Sequence, residues 1–139
     1  MKLGILALSL TFAVASQSAQ DDTKKELDKL QGTWAVAMFN GQAVPAEAQA
    51  LLVFTGDKYE QWNNGVASER GTIKLDPKTK PMSIDLIITE GDDAGKTQPG
   101  VYELTATGTL SIGLAAPGNT TRPSAIANAE LQVTLNKTK

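Results

Sequence analysis

The sequence predicts an all-β protein, an antiparallel up-and-down barrel of about eight short strands with a short N-terminal helix. Three observations carry this prediction. Apolar residues recur at every second position in run after run, the period of a half-buried strand. Asn40-Gly41, Gly56-Asp57 and Asn64-Gly65 separate those runs with hairpin-turn chemistry. The stretch Leu30-Gln31-Gly32-Thr33-Trp34, where a charged helix gives way to the first run, sets a glycine two residues ahead of a tryptophan at the entry to the sheet. Closure into a barrel removes the free edges of such a succession, and a β-sandwich is the alternative.

Residues 21–31 predict the helix. Asp22 or Thr23 can cap it, with Glu26 three residues after Thr23 in capping-box spacing. Leu27 and Leu30 share one face and Gly32 stops it. So short a helix is marginal alone, so its leucines must rest on a neighbour, and closing one end of the barrel is the simplest use. The first strand is 33–39, with Trp34, Val36 and Met38 on one face. After Asn40-Gly41 and a short helical turn begun by Pro45 come strands 51–55 and 58–62, joined by Gly56-Asp57. Asn64-Gly65 is the strongest hairpin signal in the chain and leads into 66–75, where Gly71 predicts a bulge or bend. Strand 82–89 points Met82, Ile84, Leu86 and Ile88 one way and Ser83, Asp85 and Thr89 the other. Strand 97–104 carries Pro99 near its start, where a missing ladder donor is tolerated. Strand 109–114 points Leu110, Ile112 and Leu114 inward, and an irregular connection, 116–128, leads to 131–136 with Leu131, Val133 and Leu135 inward. Nothing divides 22–139, which reads as one domain.

Ahead of that domain, Met1-Lys2 and an apolar run from Leu3 to Ala15 have the pattern of a secretory signal peptide, 1–15, with cleavage after Ala13-Val14-Ala15 or as late as residue 19. The run falls short of the ~20 apolar residues of a membrane helix, so no stable membrane insertion is expected after cleavage. The protein is expected to be exported, to the periplasm or the exterior. Without cysteine it has no disulfide and must rely on its apolar core. Without histidine as well, Cys–His zinc sites, Ser-His-Asp triads and Cys–His dyads are excluded. Neither a Gly-x-Ser-x-Gly elbow nor a phosphate loop is present, and no enzymatic activity, cofactor or metal is expected. With 13 basic and 15 acidic side chains the net charge is −2, and loss of Lys2 makes it one unit more negative. That field would not gather nucleic acid.

Trp34 reads as a core plug at the base of the barrel. Trp62, beside Asn63-Asn64-Gly65 at a hairpin tip, is the candidate ring at the mouth. Tyr59, Gln61 and Tyr102 fall on faces that can point inward, where a few polar groups in an apolar interior define a ligand pocket. Glu69 shares its alternation with Ile73 and Leu75, but a bulge at Gly71 reverses the register, so Glu69 is expected in water. Arg122, in the long loop before the last strand, can clamp a carboxylate bidentately or tie the loop to the barrel. Glu90, Asp92 and Asp93 lack the spacing of a calcium loop.

A family likeness runs through these residues. Leu27-Asp28-Lys29-Leu30-Gln31-Gly32-Thr33-Trp34 is followed by Phe54-Thr55-Gly56-Asp57-Lys58-Tyr59, Gly71-Thr72-Ile73-Lys74-Leu75-Asp76-Pro77 and Ile84-Asp85-Leu86. Gly100-Val101-Tyr102-Glu103-Leu104, Leu110-Ser111-Ile112, Pro117-Gly118 and Arg122-Pro123 complete the series. In this order the motifs resemble, over nearly all of 22–139, small exported proteins of planctomycete bacteria described as lipocalin-like domains of unknown function. The chain departs from them at Gly113-Leu114, where the family often has Cys-Tyr, and at Ser124-Ala125-Ile126, where an aromatic often follows Arg-Pro. Gly32-x-Trp34 is similar to the Gly-x-Trp signature of lipocalins, whose tryptophan closes the barrel base under a basic residue of the last strand. That likeness makes Lys137 the partner of Trp34, a stacked cation, with Gly32, Leu27 and Leu30 completing the closed end. The resemblance and the inward aliphatic rows imply a small apolar or amphipathic ligand, held near Trp62, Tyr59, Tyr102 and Arg122. The alternative is a barrel with a filled core that acts through its surface as a protein-interaction or inhibitor module. Strands of ~5–8 residues, at about 3.4 Å each, favour a small cavity or none.

Overall fold

The alternating runs and turn residues of the chain become nine strands and one long helix in the computed structural model, which describes residues 13–138. The expected signal peptide, 1–15, lies almost wholly outside the described residues. In order the elements are α1 (Ala13–Leu30), β1 (Gly32–Phe39), β2 (Gln42–Ala43), β3 (Leu51–Thr55), β4 (Lys58–Asn63), β5 (Val66–Asp76), β6 (Met82–Glu90), β7 (Thr97–Leu104), β8 (Thr109–Leu114) and β9 (Leu131–Lys137). From β3 onward each strand pairs antiparallel with the next, and β9 returns to pair with β1, so the sheet closes on itself. β2 is a two-residue flap on β1, leaving eight strands in the barrel wall. Asn64 and Gly65 have φ of 52° and 80°, the paired left-handed geometry of a tight hairpin.

The helix is longer than the 21–31 that the sequence predicts. Ala13 to Leu30 contains neither Gly nor Pro, so nothing stops helix propagation before Asp21. Asp22 and Thr23 therefore lie inside α1 rather than at a cap, and Glu26 turns instead to Lys29, at 2.7 Å, and to Tyr102. Gly32, at φ 111°, ends the helix in a conformation that L side chains rarely adopt. Among the described residues no helix is long and apolar enough to cross a membrane.

Two inward–outward assignments differ from the sequence reading. The pairing of β1 with β9 slips by one residue between Val36 and Met38, an irregularity at Ala37. Such a bulge re-aims the side chains beyond it: both Met38 and Phe39 are exposed, and it is Phe39, not Met38, that borders the cavity. In β5, Glu69 keeps the inward alternation of Gly71, Ile73 and Leu75 and does not turn to water. The register slips nearby fall at Ser68, opposite β4, and between Arg70 and Gly71, where the extra residue, Thr89, is on β6 rather than on β5. Gly71 is required by close approach. A Cβ there would meet the carbonyl of Ile87 and come within 2.6 Å of the Tyr59 ring.

The segment between β8 and β9 folds back over the outside of β7 and β8. Ala115 donates to the Pro99 carbonyl at 2.9 Å, and the turn Ile126–Asn128 lies so close to Gly113 that a Cβ would come within 2.9 Å of Ile126. Val101, which faces away from the barrel interior, is buried beneath this cover.

Candidate functional site

The two ends of the barrel are built differently. At the end where β1 begins and β9 finishes, Trp34 is 1% exposed and its indole N–H donates to the Leu30 carbonyl at 2.8 Å. Leu30 and Leu27 of α1 pack into the same cluster, together with Phe54, Ile73 and Leu75. The ammonium of Lys137 lies 5.1 Å from the centroid of the Trp34 ring and donates to the Gln31 carbonyl at 2.6 Å. It occupies the space a side chain at residue 32 would need, since a Cβ on Gly32 would lie 3.0 Å from Lys137 Cε. Gln31 completes the closure with a pair of hydrogen bonds to Gly56 in the β3–β4 turn, at 2.6 and 2.9 Å.

Tyr102 belongs to this closed end. It is almost fully buried, and its hydroxyl donates to Glu26 of α1 at 3.1 Å. Burial and the Glu26 carboxylate push its phenol well above the usual range. It does not line the opposite end, where the sequence reading had grouped it with Trp62.

That opposite end holds a cavity of about 560 Å³, within the ~300–1,000 Å³ of small-molecule sites. Its apolar wall comes from Val36 and Phe39 of β1, Leu52 of β3, Ile112 and Leu114 of β8, and Leu131, Val133 and Leu135 of β9. Trp62 stands at the rim, its indole N–H directed to Glu60 at 3.3 Å. Glu60 is in turn held by Arg70 at 2.7 Å, which keeps its carboxyl below the usual carboxylate range. The polar part of the wall comes from Gln61 and Asn63 of β4, Glu69 of β5, Asp93 of the β6–β7 loop and Gln98 of β7, with the apolar Leu86 of β6 among them.

Tyr59 lies beneath this polar arc. It is 1% exposed and donates its hydroxyl to Glu69 Oε2 at 2.8 Å, and burial pushes its phenol far above the usual range. The Glu69 carboxyl is raised above its ordinary value, first by desolvation and also by the Asp93 charge, against the opposing effect of the Tyr59 hydrogen bond. Asp93 pairs with Lys96 at 3.1 Å, and Lys96 is not part of the cavity wall. Gln98 is 5% exposed and donates its amide to the Ala115 carbonyl at 3.1 Å.

Arg122 sits away from the cavity. Its guanidinium lies 2.8 Å from Asp85 Oδ1 and donates to the Gly100 carbonyl at 2.8 Å, fastening the β8–β9 segment to β6 and β7. Of the residues singled out as ligand-binding, Trp62 is on the cavity wall, Tyr59 supports that wall through Glu69, and Tyr102 and Arg122 are elsewhere. Glu69, Asp93 and Gln98 were missed as a group. The alternation of Glu69 with Ile73 and Leu75 was the signal that could have found the first of them. Fold and site together define a closed-base, open-mouthed antiparallel barrel with a cavity that is apolar on one side and acidic on the other. The chain matches no protein-family model, no curated protein and no solved structure.

Proposed function

We propose that this is an exported, non-enzymatic, lipocalin-like barrel that binds a small apolar or amphipathic molecule in its mouth. The cavity of about 560 Å³ carries this reading, since an apolar wall with a few convergent polar groups is the usual make-up of a small-molecule site. It also favours ligand binding over a filled barrel acting through its surface. Export rests on the apolar run from Leu3 to Ala15 and the small residues that end it. The non-enzymatic reading rests on a sequence without histidine or cysteine.

Native mass spectrometry of the purified protein after incubation with a lipid extract tests the proposal. Retained low-molecular-mass ligand is expected on the wild type and is expected to be lost from Val133→Trp, whose indole fills the cavity. A correctly folded wild type that retains nothing from any fraction would overturn the reading.

A further inference from the structure

The cavity divides by chemistry as well as by shape. Gln61 and Asn63, Glu69, Asp93 and Gln98 come from β4, β5, the β6–β7 loop and β7, on one side of the barrel, with Leu86 of β6 as an apolar residue among them. The facing arc, from β8, β9 and β1, is aliphatic and aromatic. An occupant matched to both arcs has an apolar body and a polar head.

The sign of that head follows from the charges the polar arc presents. Among the described residues, no Lys or Arg lines the cavity, and its charged groups are Glu69 and Asp93. Lys96 serves Asp93 from outside the wall, whereas Glu69 has only the Tyr59 hydroxyl on Oε2. Arg70, next in the chain, is taken up by Glu60 at 2.7 Å and Glu90 at 3.6 Å. The amides can accept as well as donate. Gln98 gives one N–H to Ala115 and Asn63 one to Ser68, at 3.0 Å, and the carbonyl oxygen of each side chain stays open to a donor. The arc thus sets two carboxyl groups among side-chain amides, with no cation on the cavity wall among the described residues. A carboxylate or phosphate head would meet two like charges, with neutral amide N–H groups and no cation to receive it. A primary ammonium brings three donors and the missing positive charge.

We propose that the ligand is an amine-headed amphiphile, with its apolar body between β8, β9 and β1 and its ammonium seated against Glu69. This rests on the ligand-binding reading above and narrows it to one class of ligand.

Isothermal titration with decylamine, decanol and decanoate, the same apolar body under three heads, tests it. The amine is expected to bind about tenfold tighter than the alcohol, a difference of ~1.4 kcal/mol, and decanoate more weakly than either. Glu69→Gln keeps an acceptor for Tyr59 but removes the charge. It is expected to cost the amine about tenfold while leaving the alcohol within about twofold. Glu103→Gln, an exposed change on β7, is expected to alter neither. Failure of all three probes to bind would overturn the ligand-binding reading itself. Binding of the alcohol with no preference for the amine, or an equal loss in Glu69→Gln and Glu103→Gln, would overturn only the assignment of the head. Should Glu69→Gln not fold, the ranking of the three heads on the wild type still decides.

Discussion

A carboxyl group partly withdrawn from water resists ionisation, and Glu69 is held in that position by its own strand and by the hydroxyl of Tyr59. The consequence for stability has a definite sign. An unfolded Glu titrates near ~4.3, and in the folded barrel Glu69 holds its proton to higher pH. As pH rises from below the unfolded value through the folded one, the folded state binds the extra proton and loses stability relative to the unfolded chain. Glu69→Gln cannot ionise. It is therefore expected to unfold at a higher urea concentration than the wild type at neutral pH, with the margin closing toward about pH 4. Urea midpoints measured across that range check this, and a constant margin would contradict it. The sequence already placed Glu69 on the inward face by counting in twos. It lost that assignment because a glycine in a strand signals either a bulge or a close approach, and the two are alike in one dimension. Only the fold brings Tyr59 across from Gly71 and shows which applies. Met38 failed for the converse reason: nothing in Ala35-Val36-Ala37 marks a bulge.

Among the elements, the strands were the most legible, because each carries its own period and its own turn residues. The sequence starts the helix at Asp21 because the apolar run before it reads as a signal peptide, 1–15 with cleavage as late as residue 19, whereas Ala13 to Gln20 holds nothing that breaks a helix. The segment from Ala115 to Glu130 had no period to read, and its organisation comes from single contacts. Arg122 binds it to Asp85 and the Gly100 carbonyl, while Glu130 accepts from the Ala116 amide at 3.0 Å and from Asn119 at 2.7 Å. Replacing Arg122 by Met leaves Asp85 without its cation and releases the segment. A loss of about 1–2 kcal/mol is expected. Amide exchange is expected to rise across 115–129 and to stay unchanged in β4 and β5. An unchanged exchange profile would show that Arg122 is not the fastening.

At the scale of the molecule, closure by β1 and β9 decides whether the sheet has edges. Trp34 to Phe39 pair with Val133 to Lys137, so the last strand completes both the wall and the base. Deleting 131–139 exposes the edges of β1 and β8 and removes Leu135 from the core. The truncated chain is expected to elute as oligomers in size-exclusion chromatography and to show no cooperative thermal transition. A monomer with a sigmoidal melt would count against closure as the source of cooperativity. The cavity was the least legible feature at this scale. Strand length argued for a small interior, but length does not report where the bulk lies. Trp34, Phe54 and Tyr102 fill the base, while the mouth is lined mainly by shorter aliphatic side chains and stays open.

The placement of the two tryptophans also gives the protein a pair of optical reporters. Trp34, dry and beneath an ammonium, emits from the base, and Trp62 emits from the half-wet rim. A single Trp62→Phe replacement separates their fluorescence. Loss of barrel closure and arrival of a guest then become two distinguishable signals from one unlabelled chain.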